Sequence, residues 1–158
     1  MAFTIGSYSE SGGVGKTTNA VSLAMTAAND GVEVLLVDLD PRATATKWLI
    51  VEPREAGLDV SAIIGGEDVD GWADDLAVPS PEGWSPHLRI VPAGRKLASF
   101  EAQQAQGGEF RLMRALEGTR AQLVVIDCPN RQGGPLTLNA LYAADALVIA
   151  AKPDADGR

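Results

Sequence analysis

The sequence predicts an α/β domain with a mostly parallel sheet and helices on both faces. Two observations carry that expectation. Continuous apolar runs, Val34-Leu35-Leu36-Val37 and Leu123-Val124-Val125-Ile126, have the pattern of strands buried on both faces of a parallel sheet. These runs alternate with helical segments, and strand, Gly-rich loop, helix and strand follow one another within about 35 residues, the size of a βαβ unit.

Taken in order, Phe3 to Tyr8 reads as the first strand and Ser9 to Gly15 as a glycine-rich loop. Lys16 to Asn29 reads as a helix, because Ala20, Leu23, Ala24 and Ala27 recur at helical spacing and Gly31 follows the last turn. Val34 to Val37 is the second strand and Ala43 to Ile50 a short helix. The stretch from Val51 to Pro86 holds four prolines, Gly65-Gly66 and several acids, and reads as surface loops with one helix near Asp68 to Ala77. Leu88 to Val91 is the third strand. Helical segments follow at Leu97 to Gln104 and Glu109 to Leu116, separated by Gly107-Gly108. Leu123 to Ile126 is the fourth strand, Leu136 to Ala143 a helix, and Ala146 to Ala150 the fifth strand. No internal repeat or low-complexity tract interrupts this order, and the 158 residues are expected to form one domain.

Composition narrows the function classes. The chain is 46% hydrophobic and 22% charged, and carries 13 basic against 21 acidic residues, a net charge of −8. That balance argues against binding nucleic acid through overall charge. The single cysteine, Cys128, excludes an internal disulfide and follows an apolar run, so it reads as a small buried residue. Met1 to Ile5 lacks the basic and apolar segments of a signal peptide, and no apolar run approaches the ~20 residues needed to cross a bilayer. A soluble, cytoplasmic protein is expected.

The chemical signal is Gly12-Gly13-Val14-Gly15-Lys16-Thr17-Thr18. Glycines let a loop turn its backbone N–H groups inward around an anion, where side chains would block close approach. The helix that follows offers its N-terminus to the same anion. Lys16 can reach the β- and γ-phosphate oxygens, Thr17 can coordinate Mg²⁺, and Thr18 can contact the α-phosphate. The alternative is a glycine-rich turn with an incidental lysine, but strand before and helix after supply the context that the phosphate reading requires. The architecture implied is that of a P-loop NTPase, a Rossmann-like three-layer arrangement.

Carboxylates stand where a Mg-nucleotide site needs them. Asp38 and Asp40, in Val37-Asp38-Leu39-Asp40-Pro41, follow the second strand, and Asp127 ends the fourth. If these strands run parallel to the first, all three acids share the sheet edge with the glycine loop. Asp127 then holds Mg²⁺ through a water. The bland alternative is that acids at strand ends cap the next helix.

These residues resemble the ParA/MinD family of ATPases. Gly12 to Thr18 is similar to that family's deviant Walker A loop, EVLLVDLDPR (Glu33 to Arg42) to its second motif, and VVIDCP (Val124 to Pro129) to its Walker B strand. Ile90-Val91-Pro92-Ala93 and Leu138 to Asp145 resemble the intervening and following segments. The match spans nearly all of the chain and looks closest to small ParA proteins without an N-terminal DNA-binding domain. The resemblance implies ATP and Mg²⁺ as ligands, with Ser11 to Thr18 around the nucleotide. Asp40 would orient the attacking water, with Lys16 as its catalytic partner, and Asp38 would lie close to the metal. It also implies an ATP-dependent homodimer, a ParB-like or cargo-adaptor partner, and a role in partition or positioning of cargo.

Two departures qualify the resemblance. The family's signature lysine before the paired glycines is Ser11 here, a form also seen in members that position protein assemblies. Loss of that cation matters because stabilising a transferring phosphoryl group is mostly electrostatic. Arg42 or Lys152 could replace it, or both are solvated surface charges. Family members also extend well beyond the fifth strand, so the chain is expected to be C-terminally truncated or to have that face covered by a partner or second copy. The competing functions are an ATPase switch, a nucleotide-dependent binding module with little hydrolysis, and a small-molecule synthetase or kinase of similar topology. The Asp-Leu-Asp-Pro motif counts against the last. DNA binding by this chain is expected to be weak or absent.

Overall fold

The computed structural model describes residues 1–10, 15–102, 107–131 and 133–153. Its centre is a six-stranded sheet formed by β1 (Phe3–Tyr8), β2 (Val34–Asp38), β3 (Val78–Pro79), β4 (Leu88–Val91), β5 (Leu123–Asp127) and β6 (Ala146–Ile149), in the order β3-β4-β2-β5-β1-β6. All neighbours pair in parallel except β3 with β4. The helices are α1 (Lys16–Asn29), α2 (Thr44–Leu49), α3 (Val60–Ile64), α4 (Trp72–Leu76), α5 (Arg111–Ala115) and α6 (Pro135–Ala143).

Strand alternation divides the core in two. In β2, Val34 and Leu36 point to one face, where α1 and α2 pack through Ala20, Ala24, Ala28, Ala45 and Leu49. Leu35 and Val37 point to the other face, against Val60 and Ile63 of α3, Leu112 of α5 and Leu136 of α6. At β2 the sheet is thus covered on both sides, as its apolar run predicts. The alanine stripe of α1 lets that helix approach the sheet closely.

The long middle segment departs from expectation. The predicted helix near Asp68 to Ala77 is limited to Trp72–Leu76, started by Gly71 at a φ of 76°. An additional helix, α3, occupies part of the expected loop. It is capped by Asp59, whose side chain accepts a hydrogen bond from the Ser61 amide. The two-residue β3 was also not expected, and a strand that short carries no periodicity to detect. Leu97–Ala102 forms a 3-10 helix, and the expected extension to Gln104 lies outside the described residues. The segment expected to be helical from Glu109 begins as a 3-10 turn, Gly108–Phe110, before α5.

One edge of the sheet is open. All four residues of β6 are exposed among the described residues, Ile149 by 65%. No helix among the described residues is long and apolar enough to cross a membrane.

Candidate functional site

The carboxyl ends of β1, β2 and β5 meet at one edge of the sheet. The parallel register sets Ser7 of β1 beside Asp127 of β5, and Asp127 beside Asp38 of β2. The shared position of Asp38 and Asp127 at the carboxyl end of β1 therefore follows from strand register. Ser11, Gly12, Gly13 and Val14 lie outside the described residues. Gly15, at the start of α1, has a φ of 88°, and a Cβ there would meet no atom of the described residues within 4 Å. Conformation, not crowding, is what calls for glycine at that position.

Lys16 is buried, with 4% of its surface exposed. Its Nζ donates to Asp127 Oδ1 at 2.5 Å and lies 3.3 Å from Asp40 Oδ2. The Thr17 hydroxyl donates to Asp127 Oδ2 at 2.9 Å. The Ser7 hydroxyl donates to the Lys16 carbonyl at 2.7 Å and ties β1 to the first turn of α1. Burial pushes the Asp127 carboxyl up, while Lys16 and Thr17 act to lower it. Thr18 is exposed on the outer side of the same turn.

Asp38 and Asp40 differ although they are two residues apart. Asp38 is fully buried. Its Oδ2 accepts from the Thr46 amide and hydroxyl at 2.9 and 2.6 Å, and its Oδ1 from the Asp40 amide at 3.2 Å. Thr46 also accepts from the Ala93 amide, so Asp38 joins α2 to the end of β4. Burial raises the Asp38 carboxyl to about 6, against those hydrogen bonds. Asp40 moves the other way. Burial would raise it, but hydrogen bonds from the Arg42 side chain and backbone, and the charges of Lys16 and Arg42, hold it below its ordinary value. Arg42 Nη2 donates to Asp40 Oδ2 at 2.8 Å.

Arg42 is therefore part of the site, although its side chain is 55% exposed. Lys152 is exposed beyond β6. Cys128 is buried and its thiol is pushed up to about 12 by burial, which keeps it protonated and agrees with its reading as a packing residue. Sequence reasoning missed Thr46, and it missed Glu101, Asn130 and Arg131, which gather around Asp40 in a cleft of about 390 Å³. Only the position of Arg131, shortly after the Asp127 strand, could have suggested it.

The donor set fits a nucleotide-bound magnesium ion. Among the described residues no group of three or more His, Cys, Asp or Glu is placed to hold a metal alone. Magnesium in phosphate sites does not need one: a hydroxyl, a carboxylate, waters and phosphate oxygens suffice. Thr17 and Asp127 supply the hydroxyl and the carboxylate, and Lys16 stands beside them to meet phosphate.

A model of the AAA_31 family, described as an AAA domain, matches residues 3–156. The chain belongs to this family of ParA/Soj/MinD-type ATPases. It is 37% identical over 153 residues to the sporulation initiation inhibitor protein Soj of Bacillus subtilis, covering 94% of this chain and 58% of Soj. To the chromosome partitioning protein ParA of Myxococcus xanthus it is 36% identical over 145 residues, 89% of this chain and 48% of that protein. The structure of cobyrinic acid a,c-diamide synthase from Mycobacterium smegmatis, with a bound ATP analogue and magnesium, superposes with a TM-score of 0.83 at 32% identity. That superposition covers 100% of this chain and 63% of the synthase. The ParA-family chain thus spans about half to three-fifths of the length of these relatives.

Proposed function

We propose that this ParA-family protein binds ATP with Mg²⁺ and hydrolyses it as a switch in plasmid or chromosome partition, or in positioning another cellular cargo. The observation that carries the proposal is the convergence of Lys16 and Thr17 on the two oxygens of Asp127. This is the set of groups a Mg-nucleotide site needs, already assembled at the start of a helix behind a glycine loop. Similarity to Soj and ParA supports the partition role.

Bound Mg-ATP supplies the transferable phosphoryl group and a divalent charge that offsets its oxygens. The loop amides and Lys16 bind the phosphates, Lys16 exchanging its contacts with Asp127 and Asp40 for phosphate oxygens. Thr17 and Asp127 would hold the magnesium, with Asp38 close by. Asp40 orients the attacking water. Because Arg42 keeps Asp40 ionised and fixed, Asp40 acts more by orientation than as a strong base. The active form is an ATP-dependent homodimer that meets a ParB-like or cargo-adaptor partner, in the cytoplasm.

The test is titration with ATP and Mg²⁺, followed by single-turnover hydrolysis with and without DNA. No ATP binding at millimolar concentration sinks the nucleotide reading. Binding without turnover favours a second reading, a nucleotide-dependent binding module. The Arg42 clamp on Asp40 and the absence of lysine at Ser11 support that second reading.

A further inference from the structure

The cleft beside Asp40 contains a cation that the nucleotide reading leaves unassigned. Its walls include Asp40 and Arg42 from the end of β2, Glu101 from the 3-10 helix, and Asn130 and Arg131 from the loop after β5. The cleft adjoins Lys16 and the end of β1 on two counts. Asp40 is shared between it and Lys16, whose Nζ is 3.3 Å away. The Ser9 hydroxyl, at the mouth of the glycine loop, donates to Asn130 Oδ1 at 3.3 Å.

Arg131 is held in this cleft from beneath. Its Nη1 lies 2.6 Å from Glu101 Oε2, and only 13% of the Glu101 side chain is exposed. The contact is an ion pair without an aligned N–H, and both Glu101 oxygens are buried with no hydrogen bond among the described residues. Gly134, at a φ of 90°, borders the pair: a Cβ there would make only ordinary contact, 3.4 Å from Glu101 Oε2 and 3.5 Å from Arg131 Nε. The Thr137 hydroxyl donates to the Arg131 carbonyl at 3.2 Å and steadies the backbone. A surface ion pair would account for the half-exposed guanidinium, but not for a carboxylate buried underneath it. Burying a carboxylate is costly, and a guanidinium pinned by one edge can turn its remaining N–H groups toward a second anion.

We propose that Arg131 binds the terminal phosphate of the nucleotide, with Glu101 as the residue that positions it. This rests on the nucleotide reading above. The pair supplies the cation that the family places in the glycine loop and that this sequence lacks at Ser11. Arg131 comes from the loop after β5 and Lys16 from α1, and the planar guanidinium fork suits phosphate oxygens.

The experiment measures dissociation constants for ADP and for a non-hydrolysable ATP analogue, both with Mg²⁺, in wild type, Arg131→Ala, Arg131→Lys and Glu101→Gln. Thermal melting confirms that each variant is folded. Arg131→Ala is expected to weaken the analogue by about tenfold or more while ADP changes by less than about twofold, as loss of one charge-assisted phosphate contact predicts. Arg131→Lys restores part of the preference, and Glu101→Gln loses part of it. Equal weakening of both ligands, or an unchanged ratio in Arg131→Ala, overturns the proposal and leaves the nucleotide reading standing. An unchanged ratio in Glu101→Gln overturns the positioning role. If the wild type binds neither ligand, the nucleotide reading fails and takes this inference with it.

Discussion

Asp38 and Asp127 stand directly opposite one another in the parallel pair β2–β5, yet their carboxylates have different partners. Asp127 faces Lys16 and Thr17 of α1, whereas Asp38 is taken up by Thr46 of α2 and the Asp40 amide. On the proposed nucleotide reading, the first exchanges its partners for ligand. The second holds the framework around it, so the two acids should respond differently to mutation and to pH.

Removing the lysine tests the ligand side. Lys16→Ala should weaken nucleotide binding by about a hundredfold or more, because a buried phosphate contact loses its charge. It also leaves Asp127 and Asp40 buried beside a lost cation, which should cost on the order of 3 kcal/mol of stability at pH 7. Nucleotide titration and urea denaturation check both parts. Unchanged ATP affinity would refute the assignment of Lys16.

Asp40→Ala separates binding from chemistry. The variant should bind Mg-ATP within a fewfold of wild type while turnover falls by about a hundredfold, the usual scale for a positioned acid–base group. Rapid-quench measurement of phosphate release decides it, and wild-type turnover in the variant removes Asp40 from the reaction.

Asp38 predicts a pH effect in the nucleotide- and metal-free protein. Its folded carboxyl titrates near 6, above the ordinary 3.8. Between about pH 4 and pH 6 the folded state therefore holds a proton that the unfolded state has released. The sign follows: this contribution is fully present at the acid end and is lost as pH rises through about 6, by on the order of 2–3 kcal/mol. Denaturation of wild type and Asp38→Asn in EDTA at several pH values isolates it. The gap between the two should change by roughly that amount across the window, and parallel pH profiles exclude the effect.

Weak DNA binding remains the expectation, and the arginine contacts support it. Arg111 donates to the Ile64 carbonyl, Arg114 pairs with Asp70 at 2.7 Å, and Arg120 lies 3.5 Å from Asp74. Arg95 and Lys96 are an exposed basic pair adjacent in sequence among the described residues, a sparse patch. With a net charge of −8, phosphate neutralisation is sparse. A polarisation assay at physiological salt with ATP and Mg²⁺ should show no binding at micromolar protein, and binding there would mean that another surface meets DNA.

Much of the site is legible in the amino-acid sequence, because its parts are local patterns. The apolar runs identify β2 and β5, and residues at the ends of neighbouring strands in a parallel sheet must share an edge. The glycine spacing before Lys16 is the pattern from which an anion-binding loop is proposed. The middle segment is less legible. Helix α3 and strand β3 are short, and what stabilises α3 is the Asp59 cap and packing on the far face of the sheet, not a repeating apolar pattern.

Local sequence thus specified the edge at which the chemistry gathers, and only the fold decided which groups meet there. Lys16 reaches Asp127 across 111 positions of chain, and Ser9 meets Asn130 across 121. Glu101 comes under Arg131 from a different element. Strand periodicity acts over a few residues, so it can place a carboxylate at the end of a strand. It cannot say which lysine, threonine or arginine will be buried beside that carboxylate, because that depends on how distant helices and loops pack over the finished sheet.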